Sequence, residues 1–214
     1  MSDLKNHILA RISAGARSSV WTPNDFVDLG TYDAVRKTLQ RLATVDDIRR
    51  IDDGLYDRPA PNPLTRQQNP PDARQVIEAI ARRSQIRVLV DGMTAANDLG
   101  LTNAVPAKII IHTDARLKPI KLGNLSVEFK HTAPSKLYWA GRPAMRVVQA
   151  LHWLKDVLSD DQENHRVRAI LKRLFNNENA GQQIVDDLRT GLGSLPIWMQ
   201  DFLRPLLTDQ SEAA

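Results

Sequence analysis

Trp21-Thr22-Pro23-Asn24-Asp25-Phe26 opens a stretch that runs through Gly30-Thr31 into Tyr32-Asp33-Ala34-Val35-Arg36-Lys37-Thr38-Leu39-Gln40-Arg41-Leu42. It closes on Ile48-Arg49-Arg50-Ile51-Asp52-Asp53-Gly54-Leu55-Tyr56. Thr22 suits a helix N-cap, Pro23 suits the first helical position, and Trp21 is placed to pack on Phe26 across that start. Gly30 reads as a sharp turn and Thr31 as the cap of a second helix over Tyr32 to Leu42. Ile48 to Ile51, Asp53-Gly54 and Leu55-Tyr56 read as strand, tight turn and strand. Helix, glycine-containing turn, helix and hairpin, in that order, predict a winged helix-turn-helix, a module that reads duplex DNA.

The second helix divides by angle. At 100° per residue, Leu39, Leu42 and Thr38 fall within about 60° of Val35 and form an apolar arc. Asp33, Arg36, Lys37 and Gln40 fall between roughly 100° and 200° on the same wheel. One face is built to pack and the other offers donors suited to guanine O6/N7, adenine N6/N7 and phosphate oxygens. Thr31, Tyr32, Arg36, Lys37 and Gln40 are therefore expected to approach the major groove. Arg49 and Arg50, on the hairpin, are expected to grip phosphate or enter the minor groove.

Bulk composition narrows the setting. Apolar residues make up 42% and charged residues 25% of the 214, which is ordinary for a soluble globular chain. There is no cysteine, so disulfides, thiolate metal sites and a cysteine nucleophile are excluded. No apolar run approaches membrane-spanning length and Leu4-Lys5-Asn6-His7-Ile8 does not open a signal peptide, so a cytoplasmic protein without a membrane partner is expected. Net charge is +4 but unevenly spread: residues 1–58 hold nine basic and nine acidic residues, 59–136 eleven and six, and 137–214 nine and ten. A module of zero net charge binds DNA only if its charges segregate by face, because only charges near phosphates release counterions.

The predicted fold class is α+β, with four segments: the winged helix-turn-helix over 1–58, a proline-rich connector over 59–71, a small α/β unit over 72–136, and a helical C-terminal region over 137–214. Leu4, Ile8 and Ile12 give a first amphipathic helix over 4–14. Five prolines between 59 and 71 predict a semi-rigid connector. Asp72 caps a helix with an apolar face at Val76, Ile77 and Ile80. Ile86 to Val90 and Lys108 to His112 read as strands, Thr94 to Leu99 as a short helix, and Lys118 to Leu122 with Leu125 to His131 as a hairpin around Gly123-Asn124. From Pro143 the pattern is helical, ending on a helix around Trp198 to Leu207.

Two patches carry a family resemblance. The run Val35 to Leu42, followed by Ile48 to Tyr56, resembles the N-terminal winged-helix motif of AbiEi-type antitoxins. Asp91-Gly92-Met93-Thr94-Ala95-Ala96-Asn97-Asp98-Leu99-Gly100-Leu101-Thr102, followed by Val105-Pro106 and Ile109-Ile110-Ile111, is similar to a second signature of that family. The likeness covers about residues 4–131. It implies the antitoxin component of an abortive-infection, type IV toxin–antitoxin system: an autorepressor at its own promoter, countering a nucleotidyltransferase-like toxin without a stable toxin complex. Winged-helix repressors often read paired half-sites, so a homodimer on DNA is expected. A shorter relative of those proteins, with the same layout, is the variant of this expectation.

The second signature also has a physical reading. Gly92 is expected at positive φ after its strand, Ala95 and Ala96 are expected to let the short helix pack closely on the sheet, and Gly100 is expected to end that helix. Asn97 and Asp98 are read first as turn-capping residues, with a functional role as the alternative. An enzymatic alternative rests on Asp114 with Glu128-Phe129-Lys130: alternate strand residues share a face, so Asp114 and Glu128 would hold Mg²⁺ and Lys130 would position the attacking water of a nuclease. The five histidines have no ligand spacing, no Gly-x-Ser-x-Gly elbow occurs and no phosphate loop accompanies the glycines, so no cofactor, no metal and no catalytic residue are expected. A winged-helix module that binds protein instead of DNA is the other alternative, kept by the neutral charge of 1–58.

Overall fold

Thr31 sets where the reading begins to become structure: its hydroxyl accepts the Ala34 N–H at 3.4 Å and starts a helix that runs to Thr44. The computed structural model describes residues 2–16, 18–62, 64 and 66–208. Within them the chain is α+β, with eight α-helices and two small sheets. Contacts group it into two units, Met1–Ile86 with Leu117–Val127, and Arg87–Arg116 with Glu128–Ala214. No helix among the described residues is long and apolar enough to cross a membrane.

The first unit runs α1 (Ser2–Ala14), β1 (Val20–Trp21), a 3-10 turn (Pro23–Phe26), α2 (Tyr32–Thr44), β2 (Arg49–Asp52), β3 (Leu55–Asp57) and α3 (Ala73–Ser84). Its sheet has the order β1-β3-β2 with both pairs antiparallel, so Tyr56 stands between Trp21 and Arg50. The core is one cluster of Ile8, Ile12, Phe26, Val35, Leu39, Leu42, Ile48 and Tyr56. Each such side chain contributes about 1.5–3 kcal/mol on burial. Trp21 packs on Phe26 with ring centroids 5.4 Å apart. The Asp25 carboxylate accepts both the Thr22 N–H at 2.7 Å and the Thr22 hydroxyl at 2.9 Å, which closes the 3-10 turn on itself. Gly54 takes φ +65° in the β2–β3 turn, where a side chain would strain the backbone. Gly30 does not adopt positive φ, and a Cβ there would meet Leu4 at an ordinary 3.6 Å; the Thr31 cap sets that turn without needing a glycine.

The proline-rich stretch folds back on itself rather than extending. Asn62 and Gln67, Ala60 and Asn69 pair through backbone hydrogen bonds of 2.7 and 3.0 Å, with a bridge at Pro61 and Gln68; Pro63, one of the five prolines, lies outside the described residues. Asp72 caps α3 by accepting the Arg74 and Gln75 N–H groups at 2.9 and 3.1 Å. At the other end Gln85 adopts φ +51° and the Ile86 N–H returns to the Ala81 carbonyl. That closing turn uses residues 85 and 86, which is why the following strand is shorter than its apolar run.

The second unit holds β4 (Val88–Val90), α4 (Gly92–Asp98) and β5 (Lys108–Thr113). β6 (Ile120–Leu122) and the start of β7 (Leu125–His131) group with the first unit, and the rest of β7 with the second. The second sheet has the order β4-β5-β7-β6, and β6 and β7 form the antiparallel hairpin around Gly123. Four helices follow: α5 (Met145–Leu154), α6 (Asp161–Phe175), α7 (Gly181–Gly191) and α8 (Ile197–Thr208). Asp91 joins β4, α4 and β5. Its carboxylate accepts the Thr94 N–H at 3.0 Å, the Thr94 hydroxyl at 2.7 Å and the Ile110 N–H at 2.9 Å.

Two expectations about this signature change. Gly92 is not at positive φ; it is the first residue of α4, where a Cβ would stand 2.6 Å from the Trp153 Cβ and 2.7 Å from the Gln149 carbonyl oxygen. The glycine serves a close helix–helix approach. Ala95 and Ala96, both fully buried, serve the same approach, because α4 packs chiefly against α5 and not against the sheet. Gly100 does take φ +67° at the helix end. Asn97 donates to the Ala104 carbonyl at 2.9 Å and Asp98 pairs with Arg146 at 2.9 Å.

Candidate nucleic-acid interface

α2 is pinned by one face and bare on the other. Val35, Leu39 and Leu42 are buried, whereas Thr31, Tyr32, Arg36 and Lys37 are exposed and Gln40 is half-buried. Arg36 has its nearest carboxylate oxygen, from Asp33, at 3.9 Å. Lys37 makes no ion pair among the described residues. The helix thus keeps its apolar arc in the core and leaves its polar groups to solvent, as its angular pattern requires.

The hairpin meets this helix at Tyr56. Burial pushes the Tyr56 hydroxyl pKa up; the positive charge of Arg50 opposes that shift, Asp53 adds to it, Arg36 opposes it and Tyr32 adds to it. α2 packs against β2 in the same unit. Arg50 is half exposed and reaches the Asp53 carboxylate at 2.8 Å. Arg83 of α3 donates to the Asp53 carbonyl at 2.6 Å, so the turn is held from the side. Arg50 stands opposite Tyr56 across the β2–β3 ladder.

Arg49 faces the other way. It donates twice to Asp57, at 2.9 and 2.5 Å, and once to the Asn69 carbonyl at 2.8 Å. Its side chain is 24% exposed and that of Asp57 only 7%. Along β2 burial alternates, so neighbouring arginines lie on opposite faces of the sheet. Arg49 braces β3 and the folded-back loop, and its fork is occupied.

Other basic residues lie around α2 and the 3-10 turn. Arg41 stands one turn beyond Lys37, on the side of α2 that faces α1, and Lys5 of α1 stands opposite, 3.2 Å from Asp47. The i, i+4 spacing of Lys37 and Arg41 is visible in the sequence; the proximity of Lys5 is not. Arg82 of α3 grips Asp25 at 3.0 and 3.1 Å. Burial pushes the Asp25 pKa up, but the hydrogen bonds from Arg82 and Thr22 outweigh it and hold the carboxyl below its ordinary value.

The proposed magnesium site does not assemble. Glu128 is ion-paired with Lys108, the first residue of β5, at 2.7 Å. Asp114 follows the far end of that strand, about 20 Å along it at 3.3 Å per residue, and accepts the Arg87 N–H at 3.2 Å. Among the described residues no group of three or more histidines and carboxylates is gathered to hold a metal ion. His112 shares a hydrogen bond of 3.0 Å with Thr132, and its pKa is lowered by burial and then by Lys130, against Asp91.

The chain belongs to DUF6088, a family of unknown function whose profile matches residues 7–179. No curated protein matches it.

Proposed function

Taking membership of that family as the premise, we propose that the N-terminal elements form a winged helix-turn-helix that binds duplex DNA, and that the protein is a sequence-specific transcriptional repressor of its own promoter. The element order α1, β1, 3-10 turn, α2, β2, β3 and the sheet order β1-β3-β2 support α2 as the recognition helix and the β2–β3 hairpin as the wing. The observation that carries the reading is the exposed polar arc of α2, with Tyr32, Arg36 and Lys37 open to solvent and Lys37 without an ion pair among the described residues, on a helix that packs against β2 of the hairpin bearing the exposed Arg50. In this reading Thr31, Tyr32, Arg36, Lys37 and Gln40 meet the major groove, Arg50 meets phosphate or the minor groove, and Arg49 acts by stiffening the wing.

The resemblance to AbiEi-type antitoxins supports a narrower role: the antitoxin-like partner of a toxin encoded alongside, opposing it without a stable complex and binding paired half-sites as a homodimer. A gel shift of the protein against duplex from upstream of its own gene, with scrambled duplex as competitor, tests the reading. A discrete, competitor-resistant shift supports it; no shift at any salt removes it. One observation favours a protein partner instead: residues 1–58 have no net charge, and Arg11, Arg49 and Arg50 each hold a carboxylate of the same segment. Steep weakening of binding with salt distinguishes DNA from such a partner.

A further inference from the structure

α2 carries like charges on successive turns, Lys37 and Arg41, and neither makes an ion pair among the described residues. Two cations at i and i+4 repel each other and oppose the helix they stand on. Arg50 and Arg82 of the same unit each hold a carboxylate, at 2.8 and 3.0 Å, where these two do not. The two border a groove of about 630 Å³ between α1 and α2. Lys5 closes the groove from α1, and Leu4, Leu42 and Val45 contribute apolar surface, with Val45 62% exposed. Asp33 is the carboxylate among its lining residues.

We propose that this groove receives the sugar–phosphate backbone of one DNA strand, flanking the bases that α2 reads; the inference rests on the DNA-binding reading above. Arg41 neutralises a phosphate inside the groove, while Lys37, four residues and about 6 Å of helix away, stands at the end that opens towards the bases. The Arg41 guanidinium suits a phosphate bidentately, and Lys5, paired with the part-exposed Asp47 at 3.2 Å, turns from that carboxylate to add a point charge from the opposite wall. The apolar surface meets deoxyribose. Charge is thereby segregated to the face that needs it, which reconciles a neutral 1–58 segment with DNA affinity. Contacts of this kind raise affinity for any duplex and its salt dependence, and leave sequence choice to Arg36 and Gln40.

The test measures binding by fluorescence anisotropy across a salt series, using labelled upstream duplex and a scrambled duplex. Wild type is compared with Lys5→Gln, Arg41→Gln and the double variant, with thermal melting as the control for folding. Each substitution is expected to reduce the slope of log K against log salt by roughly 0.9 and to weaken both duplexes alike, about fivefold near physiological salt. Wild-type slope in the double variant, while wild type itself binds, overturns the groove and leaves the DNA-binding reading standing. Weakening confined to the upstream duplex also overturns it, because that is the mark of base contact. Wild type that binds neither duplex removes the DNA-binding reading and the groove with it.

Discussion

Arginine serves opposite ends in the two units. In the second, Arg142 lies 4.4 Å from the Tyr138 ring centre and 4.9 Å from that of Trp139, with its fork on Asp187 at 2.6 and 2.8 Å. Arg146 holds Asp98, and Arg168 donates to the Phe202 carbonyl at 3.0 Å while lying over that ring. On α2, by contrast, Arg36 has a carboxylate no nearer than 3.9 Å, and Lys37 and Arg41 have none among the described residues. The shelter of the partner separates the two groups: Asp187 is 12% and Asp98 7% exposed, while Asp33 is 76% exposed. A guanidinium on a sheltered carboxylate is fastening the chain. One beside an exposed carboxylate exchanges it for phosphate at little cost, because an exposed pair contributes about 0–1 kcal/mol.

The largest effect expected from this contrast is at Asp187. Asp187→Ala strips Arg142 of its partner and the Ala144 N–H of its acceptor, and should cost about 3 kcal/mol in urea unfolding without altering DNA binding. A loss below about 1 kcal/mol would class the pair with the surface ones. Arg49 breaks the symmetry usefully, since it sits in the first unit but is fastened as arginines are in the second. Arg49→Ala should cost about 2 kcal/mol of stability, leaving Asp57 buried without its partner, and any weakening of DNA binding should follow from the loosened β2–β3 hairpin. A variant that binds less but melts as wild type does would return Arg49 to the contacting set. Arg36→Ala and Lys37→Ala should show the reverse pattern: about tenfold weaker operator binding, or 1.4 kcal/mol, at unchanged melting temperature. Unchanged affinity in both variants would sink the docking of α2.

Local chemistry in this chain was legible and remote pairing was not. Thr31 and Asp72 cap the helices that their side-chain chemistry marks, and Gly123-Asn124 turns its hairpin. The polar arc of α2 could be read by angle, because 3.6-residue periodicity is a property of the helix itself. Arg49 and Arg50 looked alike as residue types, although strand alternation already sends neighbours to opposite faces. What fills one of those faces, Asp57 and the Asn69 carbonyl, depends on the fifteen residues 58–72 between β3 and α3 folding back, and no spacing rule announces that. Gly92 failed for a related reason: its need is set by Trp153 and Gln149 in another helix, and a glycine required for close approach looks in sequence like one required for positive φ. Lys5 and Arg82 became informative only once α1 and α3 were seen beside α2 and the 3-10 turn.

The smallest effect lies between the two groups, at Asp25, a carboxylate 15% exposed and held by Arg82, which is 50% exposed. Burial raises the Asp25 pKa, and the hydrogen bonds from Arg82 and Thr22 bring it below its ordinary value. A carboxylate whose folded pKa lies below its unfolded value of about 3.9 stabilises the fold fully above that value. That contribution is lost as pH falls through the folded pKa, because the unfolded chain takes up the proton first. The urea midpoint should therefore decline below about pH 4, and part of that decline belongs to Asp25. Asp28, lowered by Arg11, declines in the same window, so acid sensitivity alone does not single out Asp25. Arg82→Gln does, since it leaves Arg11 and Asp28 untouched. The variant should start less stable at pH 5 and lose less between there and pH 3 than wild type, so that the two curves converge. Parallel curves would mean that Arg82 acts through packing on β1 alone, and would move it from the fastening arginines to the ones that merely lie on the surface.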